Sequence, residues 1–115
     1  MKIKIFQTKF FKVSINRFFK KKQLMQKDFD DFQRELANSP EKGAIIKGTG
    51  GVRKIRLKSA SAGKSSGFRV CYYFLMQDNE IFFLLIYSKN AQENLTMQQK
   101  KELKELVEIV RRIKK

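Results

Sequence analysis

Polar and apolar residues alternate at Lys2-Ile3-Lys4-Ile5, the period-two pattern of a short half-buried strand, which predicts an edge strand. From about Thr8 to Lys20 the period changes: Phe11, Ile15, Phe18 and Phe19 recur at helical spacing with Lys12, Asn16 and Lys20 between them. This predicts an amphipathic helix whose apolar face enters the core. A second helix is expected from about Leu24 to Asn38, with Met25, Phe29, Phe32 and Leu36 as its stripe. It should stop there, because Pro40 disfavours helical backbone at Ser39.

After a glycine-rich connector ending at Gly51, three runs read as strands: Val52 to Leu57, Phe68 to Met76 and Ile81 to Ser88. The Ser59 to Gly67 loop and a turn at Asp78-Asn79 separate them. Loops this short join antiparallel neighbours, since a parallel crossover needs about a dozen residues or more. Thr96 and Gln99, in capping-box spacing, open a last helix with Leu103, Leu106, Val107, Val110 and Ile113 on one face. The expected class is α+β, a small twisted antiparallel sheet with two N-terminal helices and a C-terminal helix, the helices chiefly on one face. At 115 residues the chain suits a single domain over 1–115, with no internal repeat.

Charge adds a partner to this picture. Lys and Arg number 26 against 11 Asp and Glu, a formal net charge of +15, which favours an anionic partner and leaves fold undecided. RNA, DNA, an anionic membrane and an acidic protein all satisfy it. The distribution is sharper: Met1 to Lys27 holds nine cations and no acid, and no acid occurs between Lys42 and Gln77. Phe10, Phe11, Phe18 and Phe19 are assigned to the core in preference to a membrane-surface helix. Ile81 to Tyr87, the longest apolar run, is far too short to span a bilayer. The N-terminus lacks the uninterrupted apolar stretch of a signal peptide, and the single Cys71 demands no oxidising compartment, so a cytoplasmic location is expected.

Several chemistries fall away. The chain has no histidine and one cysteine, which argues against a zinc site of the usual ligands and leaves Cys71 without an activating imidazole. Gly63-Lys64-Ser65 lacks the first glycine of a phosphate-binding loop, where Lys58 stands, and precedes a strand in place of a helix. Gly48, Gly50 and Gly51 fail as a dinucleotide fingerprint and read as turn glycines. The basic strand remains: alternation sets Lys54, Arg56 and Lys58 on one face, with Arg69, Cys71 and Tyr73 sharing a face of the next strand, and Tyr87 with Lys89 one of the third. If those faces coincide they form a basic pocket with aromatic edges, as single-stranded RNA is held. Pattern alone equally fits a solvated face of a half-covered sheet. Arg111, Arg112, Lys114 and Lys115 suit a helix C-terminus and would also extend an RNA-binding surface.

The runs GTGGVRKIRL at Gly48 to Leu57, GKSSGFRVCYYF at Gly63 to Phe74, and IYSKN with NLT between Ile86 and Thr96 together resemble the RelE/ParE superfamily of bacterial toxins, closest to its HigB-like, RelE-type branch. The resemblance covers essentially the whole chain. It implies a toxin of a type II toxin–antitoxin system that cleaves mRNA in the ribosomal decoding site. It also implies a cognate antitoxin, a HigA-like helix-turn-helix protein, as partner, with no membrane, metal or cofactor. The implied chemistry is attack of an RNA 2′-hydroxyl on the adjacent phosphorus, which requires a base, cations for the phosphorane and a proton for the leaving oxygen.

By this resemblance Lys54 and Arg56 match the family's basic strand and Arg69 the arginine after the SG-aromatic turn. Lys54 is then the candidate base, while Arg56 and Arg69 clamp phosphate. Tyr87 and Lys89 stand as further catalytic candidates for charge stabilisation or acid work, and Lys58, Lys64, Tyr73 and Asn90 as RNA contacts. The chain departs from the family where RelE members carry an arginine just after the position of Lys89 and a tyrosine early in the last segment: Asn90 and Thr96 stand there. The same fold supports ParE-like toxins that act on gyrase, and a basic RNA-binding module without turnover fits the charge equally.

Overall fold

In the computed structural model, which describes residues 2–59 and 67–114, the strands separate two clusters of buried side chains. β1 (Lys4–Gln7) is followed by helices α1 (Lys9–Lys20) and α2 (Gln26–Asn38), then β2 (Ala44–Ile45), β3 (Arg53–Leu57), β4 (Phe68–Leu75), β5 (Glu80–Ser88) and α3 (Met97–Ile113). Every predicted helix and strand is present within a few residues of its expected bounds. The sheet order is β1-β5-β4-β3-β2, and β3, β4 and β5 form the expected antiparallel meander.

The sheet is mixed where an antiparallel one was expected, because the edge strand β1 runs parallel to β5. The short-loop rule that fixes the meander does not reach a pair whose connection passes through two helices and three strands. β2, two residues inside the expected connector, pairs antiparallel with Arg53 and Lys54.

Alternation along β4 divides the interior. Phe68, Val70 and Tyr72 join Phe11, Ile15, Phe29, Phe32 and Leu36 of α1 and α2 in one cluster, while Cys71, Tyr73 and Leu75 join Leu103 and Val107 of α3 in the other. So α1 and α2 share one face, as expected, and α3 covers the opposite one. The first cluster is built on aromatic contact, with Phe83 ringed by Phe11, Phe29 and Phe32 at centroid distances of 5.2, 5.9 and 5.9 Å. Phe10, expected in the core with its neighbours, is 61% exposed; it lines an open cleft with Leu84 and Leu85 of β5 and Leu106 of α3, and Phe11 takes the buried position.

Local chemistry sets the helix ends. The Thr8 hydroxyl accepts from the Phe11 amide at 3.0 Å, and the Thr96 and Gln99 side chains form the full capping box. The end of α1 is a Schellman turn, with Lys22 donating to the Phe19 carbonyl and Gln23 to that of Phe18, both at 3.0 Å. Lys22 sits at the left-handed position of that turn, φ 57°, which costs a non-glycine residue about 1 kcal/mol. On the α1–α2 face, Tyr72 donates to the Pro40 carbonyl at 2.7 Å and accepts from the Gly43 amide at 2.9 Å. Arg53 donates to the carbonyls of Glu41 and Gly43, both at 2.8 Å, so the segment between α2 and β2 is tied down from the sheet. No described helix is long and apolar enough to cross a membrane.

Candidate functional site

The register of the meander lines up two rows of side chains on the face opposite α1 and α2. Arg56 faces Arg69, and Arg69 faces Tyr87; one step along, Lys54 faces Cys71, and Cys71 faces Leu85. α3 packs over the far part of this face, against Val52, Tyr73 and Leu85, and leaves the first row at its margin. Three of the five candidate catalytic residues, Arg56, Arg69 and Tyr87, are thereby adjacent across strands, and Lys54 lies two residues from Arg56 on β3.

A bulge aims Tyr87. Between Cys71 and Tyr72 the register slips, so that Cys71 faces Leu85 while Tyr72 faces Phe83, and Leu84 is the extra residue of β5. Under strict alternation Ile81, Phe83, Leu85 and Tyr87 would share one face. With the bulge, Ile81 and Phe83 stay in the α1–α2 core, whereas Leu85 and Tyr87 turn to the α3 side. The IFFLLIY run gives no sign of this slip, since every residue in it is apolar or aromatic.

Two guanidinium groups directly opposite each other repel. Arg69 is half-buried, and the hydrogen bond it makes is a 3.4 Å contact to the carbonyl of its neighbour Phe68. Gly67 lies against Arg56: a Cβ there would stand 3.5 Å from Arg56 Nε and 3.3 Å from the Leu57 carbonyl oxygen. Gly67 also accepts the Lys89 amide at 3.0 Å, which brings the exposed Lys89 to the end of the same row. A phosphate entering here would meet cations from three strands, with Arg offering planar, bidentate donation.

Burial governs the neutral groups. The Tyr87 hydroxyl is buried and has no hydrogen-bond partner among the described residues. Its pKa is raised, first by that burial and then by Cys71 beside it, with Arg69 acting the other way. A phenol held neutral retains its proton for donation. Burial likewise pushes the Cys71 thiol up to about 12, against the opposing charge of Lys54, so Cys71 is a small strand residue with no thiolate at neutral pH.

The remaining candidates are scattered. Tyr73 lies four residues beyond Arg69 on β4, its hydroxyl accepting from Arg111 Nε at 3.0 Å beneath that guanidinium. Lys58 lines a cleft of about 400 Å³ with Asp28, Asp31 and Glu35 of α2, and Arg56 reaches the same cleft. Asn90 is exposed in the turn after β5, where its amide donates to Ser88 Oγ at 3.2 Å. Lys64 lies outside the described residues. Of the terminal cations, Arg111 also reaches the Gly50 carbonyl at 3.2 Å and Lys114 pairs with the buried Glu80 at 2.9 Å; both fasten α3 to the sheet. Gly67 is a site residue that the sequence reading does not single out, and its place as the glycine of the SG-aromatic turn is the available signal.

A family model described as the RelE toxin of the RelE / RelB toxin-antitoxin system matches residues 3–115. Among solved structures, the chain is similar to a double arginine-to-alanine mutant of the E. coli toxin RelE in the free state, at 19% identity and a TM-score of 0.49, over 81% of this chain and 90% of that one. The match is to the family at large and does not select the HigB-like branch within it. With a match that runs over nearly its whole length, the chain belongs to the family of RelE toxins of toxin–antitoxin systems.

Proposed function

We propose that this toxin is a metal-independent endoribonuclease that cleaves mRNA in the ribosomal decoding site, inhibits translation in the cytoplasm and is held in check by a cognate antitoxin covering part of its basic surface. The observation that carries this reading is the Arg56–Arg69–Tyr87 row. It sets two facing cations beside a neutral buried hydroxyl that lacks a partner among the described residues.

In the proposed step Lys54 takes the proton of the 2′-hydroxyl, and the 2′-oxygen forms a bond to phosphorus. The bond from phosphorus to the 5′-oxygen breaks, and that oxygen takes a proton from Tyr87, which solvent restores. Arg56 and Arg69 hold the non-bridging oxygens as charge builds, with Lys89 supporting from the rim. The products are a 2′,3′-cyclic phosphate and a 5′-hydroxyl. Lys58, Lys64, Tyr73 and Asn90 are proposed as RNA contacts outside this step.

Purified protein added to ribosomes translating a defined mRNA tests the reading. Cleavage with 2′,3′-cyclic phosphate and 5′-hydroxyl ends is expected. Intact mRNA accompanied by gyrase poisoning would replace it with the ParE-like activity, and binding without cutting would leave an RNA-binding module.

A further inference from the structure

We infer that the flank shared by α1 and α3 is a homodimer surface, on which α1 of one copy packs antiparallel against α3 of a second copy across a two-fold axis. Between the two helices lies an open groove of about 380 Å³. β1 ends at Gln7, paired with Phe83, and Thr8 then turns the chain into α1, its hydroxyl donating to the Leu84 carbonyl at 3.3 Å. Among the described residues no strand continues beside Leu84 and Leu85 on that side. They floor the groove, with Phe10 on one wall and Leu106 and Ile109 on the other. Phe10, Val13 and Ile109 are exposed, at 61%, 51% and 45%, and apolar surface gathered on two neighbouring helices marks an interaction site.

The two flanks carry the same spacing in opposite directions. On α1, Phe10, Val13 and Arg17 follow at steps of three and four; on α3, read backward, Ile109, Leu106 and Glu102 follow at the same steps. Residues so spaced line one side of a helix, and two such seams interlock when helices pack side by side. Laid antiparallel, the seams set Phe10 on Ile109, Val13 on Leu106 and Arg17 on Glu102 of the second copy. A two-fold axis makes each contact twice, because an isologous interface pairs residue i with j and j with i.

Charge selects the occupant. Glu102 and Glu105 stand at the rim of the groove, and neither glutamate nor Arg17 enters an ion pair or side-chain hydrogen bond among the described residues. Two carboxylates repel phosphate, an anionic membrane surface and an acidic protein alike. An apolar ridge that ends in a cation fits them, and α1 of this chain presents one. With a net charge of +15 two copies repel at long range, but in about 0.15 M salt that repulsion is screened beyond about 8 Å and contact pairs decide. No residue of the Arg56–Arg69–Tyr87 row lines the groove, so the inference stands apart from the nuclease reading.

Sedimentation equilibrium of the purified chain over a concentration series in about 0.15 M salt tests it. A monomer–dimer equilibrium with a Kd on the order of 10 μM is expected, and Phe10→Ser should weaken it about tenfold or more. Arg17→Glu and Glu102→Arg, their folds checked by thermal melting, should each self-associate about tenfold or more weakly, since like charges then meet at both contacts. Mixed in equal amounts, the two variants should form a dimer within about threefold of the wild-type Kd, because both contacts in the mixed pair again join opposite charges. A wild-type chain that stays monomeric to about 200 μM would overturn the inference and leave the groove to a different partner. So would Phe10→Ser dimerising as tightly as wild type, or a mixture no tighter than its two components. Arg17→Glu dimerising more tightly than wild type, the outcome of lower net charge alone, would overturn it too.

Discussion

Tyr72 and Tyr87 sit on neighbouring strands, both buried, yet the two faces of the sheet treat their hydroxyls differently. Tyr72 points toward α1 and α2, donates to Pro40 and accepts from Gly43. Tyr87 points to the other side, next to Arg69, and its hydroxyl has no partner among the described residues. Around Tyr72 the interior closes with aromatic rings and buried aliphatics. Around Tyr87 it opens onto Arg56, Arg69 and Lys54. Period-two alternation makes this division possible, because one face can be committed to stability while the residues between carry groups that stability alone would not place together.

The sharpest way to break the comparison is to cut into the closed face. Phe83→Ala removes the ring shared by Phe11, Phe29 and Phe32 and should cost about 3–5 kcal/mol in denaturant unfolding. A smaller loss would mean that this cluster is not the stabilising one.

On the open face, Cys71 ties stability to pH. Below about pH 9 folded and unfolded chains both keep the thiol proton; above it the unfolded thiol ionises, while the folded one holds its proton to about pH 12. Stability should therefore fall as pH rises through that window, by about 4 kcal/mol in all from this group. Urea unfolding at successive pH values should show a shallower alkaline decline in Cys71→Ala than in wild type. Parallel declines would contradict burial of the thiol.

The paired tyrosines give a smaller effect of opposite sign. Tyr72→Phe strands the Gly43 amide and should destabilise by about 1–2 kcal/mol, whereas Tyr87→Phe removes a buried hydroxyl with no partner and should be neutral or stabilising by up to about 1 kcal/mol. Only Tyr87→Phe should slow mRNA cleavage, by about a hundredfold if it is the proton donor. Matching stability losses would erase the distinction between the faces.

Much of this fold is legible from periodicity. The stripe in α2, the meander and the capping box of Thr96 all follow from local rules, and each stands where those rules put it. What local rules miss is nonlocal. The parallel pairing of β1 with β5 depends on where α1 and α2 return the chain, and Phe10 beside Phe11 differs by one helical step that adjacent phenylalanines do not resolve. At the site, alternation groups Lys54 with Arg56 and Arg69 with Cys71, but it takes the β3–β4 register to oppose the two arginines. The bulge at Leu84 that turns Tyr87 toward them lies in a run with no polar residue to mark a face. Tyr73, grouped with Arg69 by the same alternation, is drawn to Arg111 from a helix more than thirty residues away.

The central claim is that the cross-strand row holds the phosphate as it is cut, and the single-turnover rate of mRNA cleavage by Arg69→Ala on programmed ribosomes tests it most directly. The account predicts a rate about 10²–10³-fold below wild type, with an unchanged melting temperature, as expected when a charge-stabilising donor is removed from a folded site. A folded Arg69→Ala protein that cleaves at the wild-type rate would contradict it.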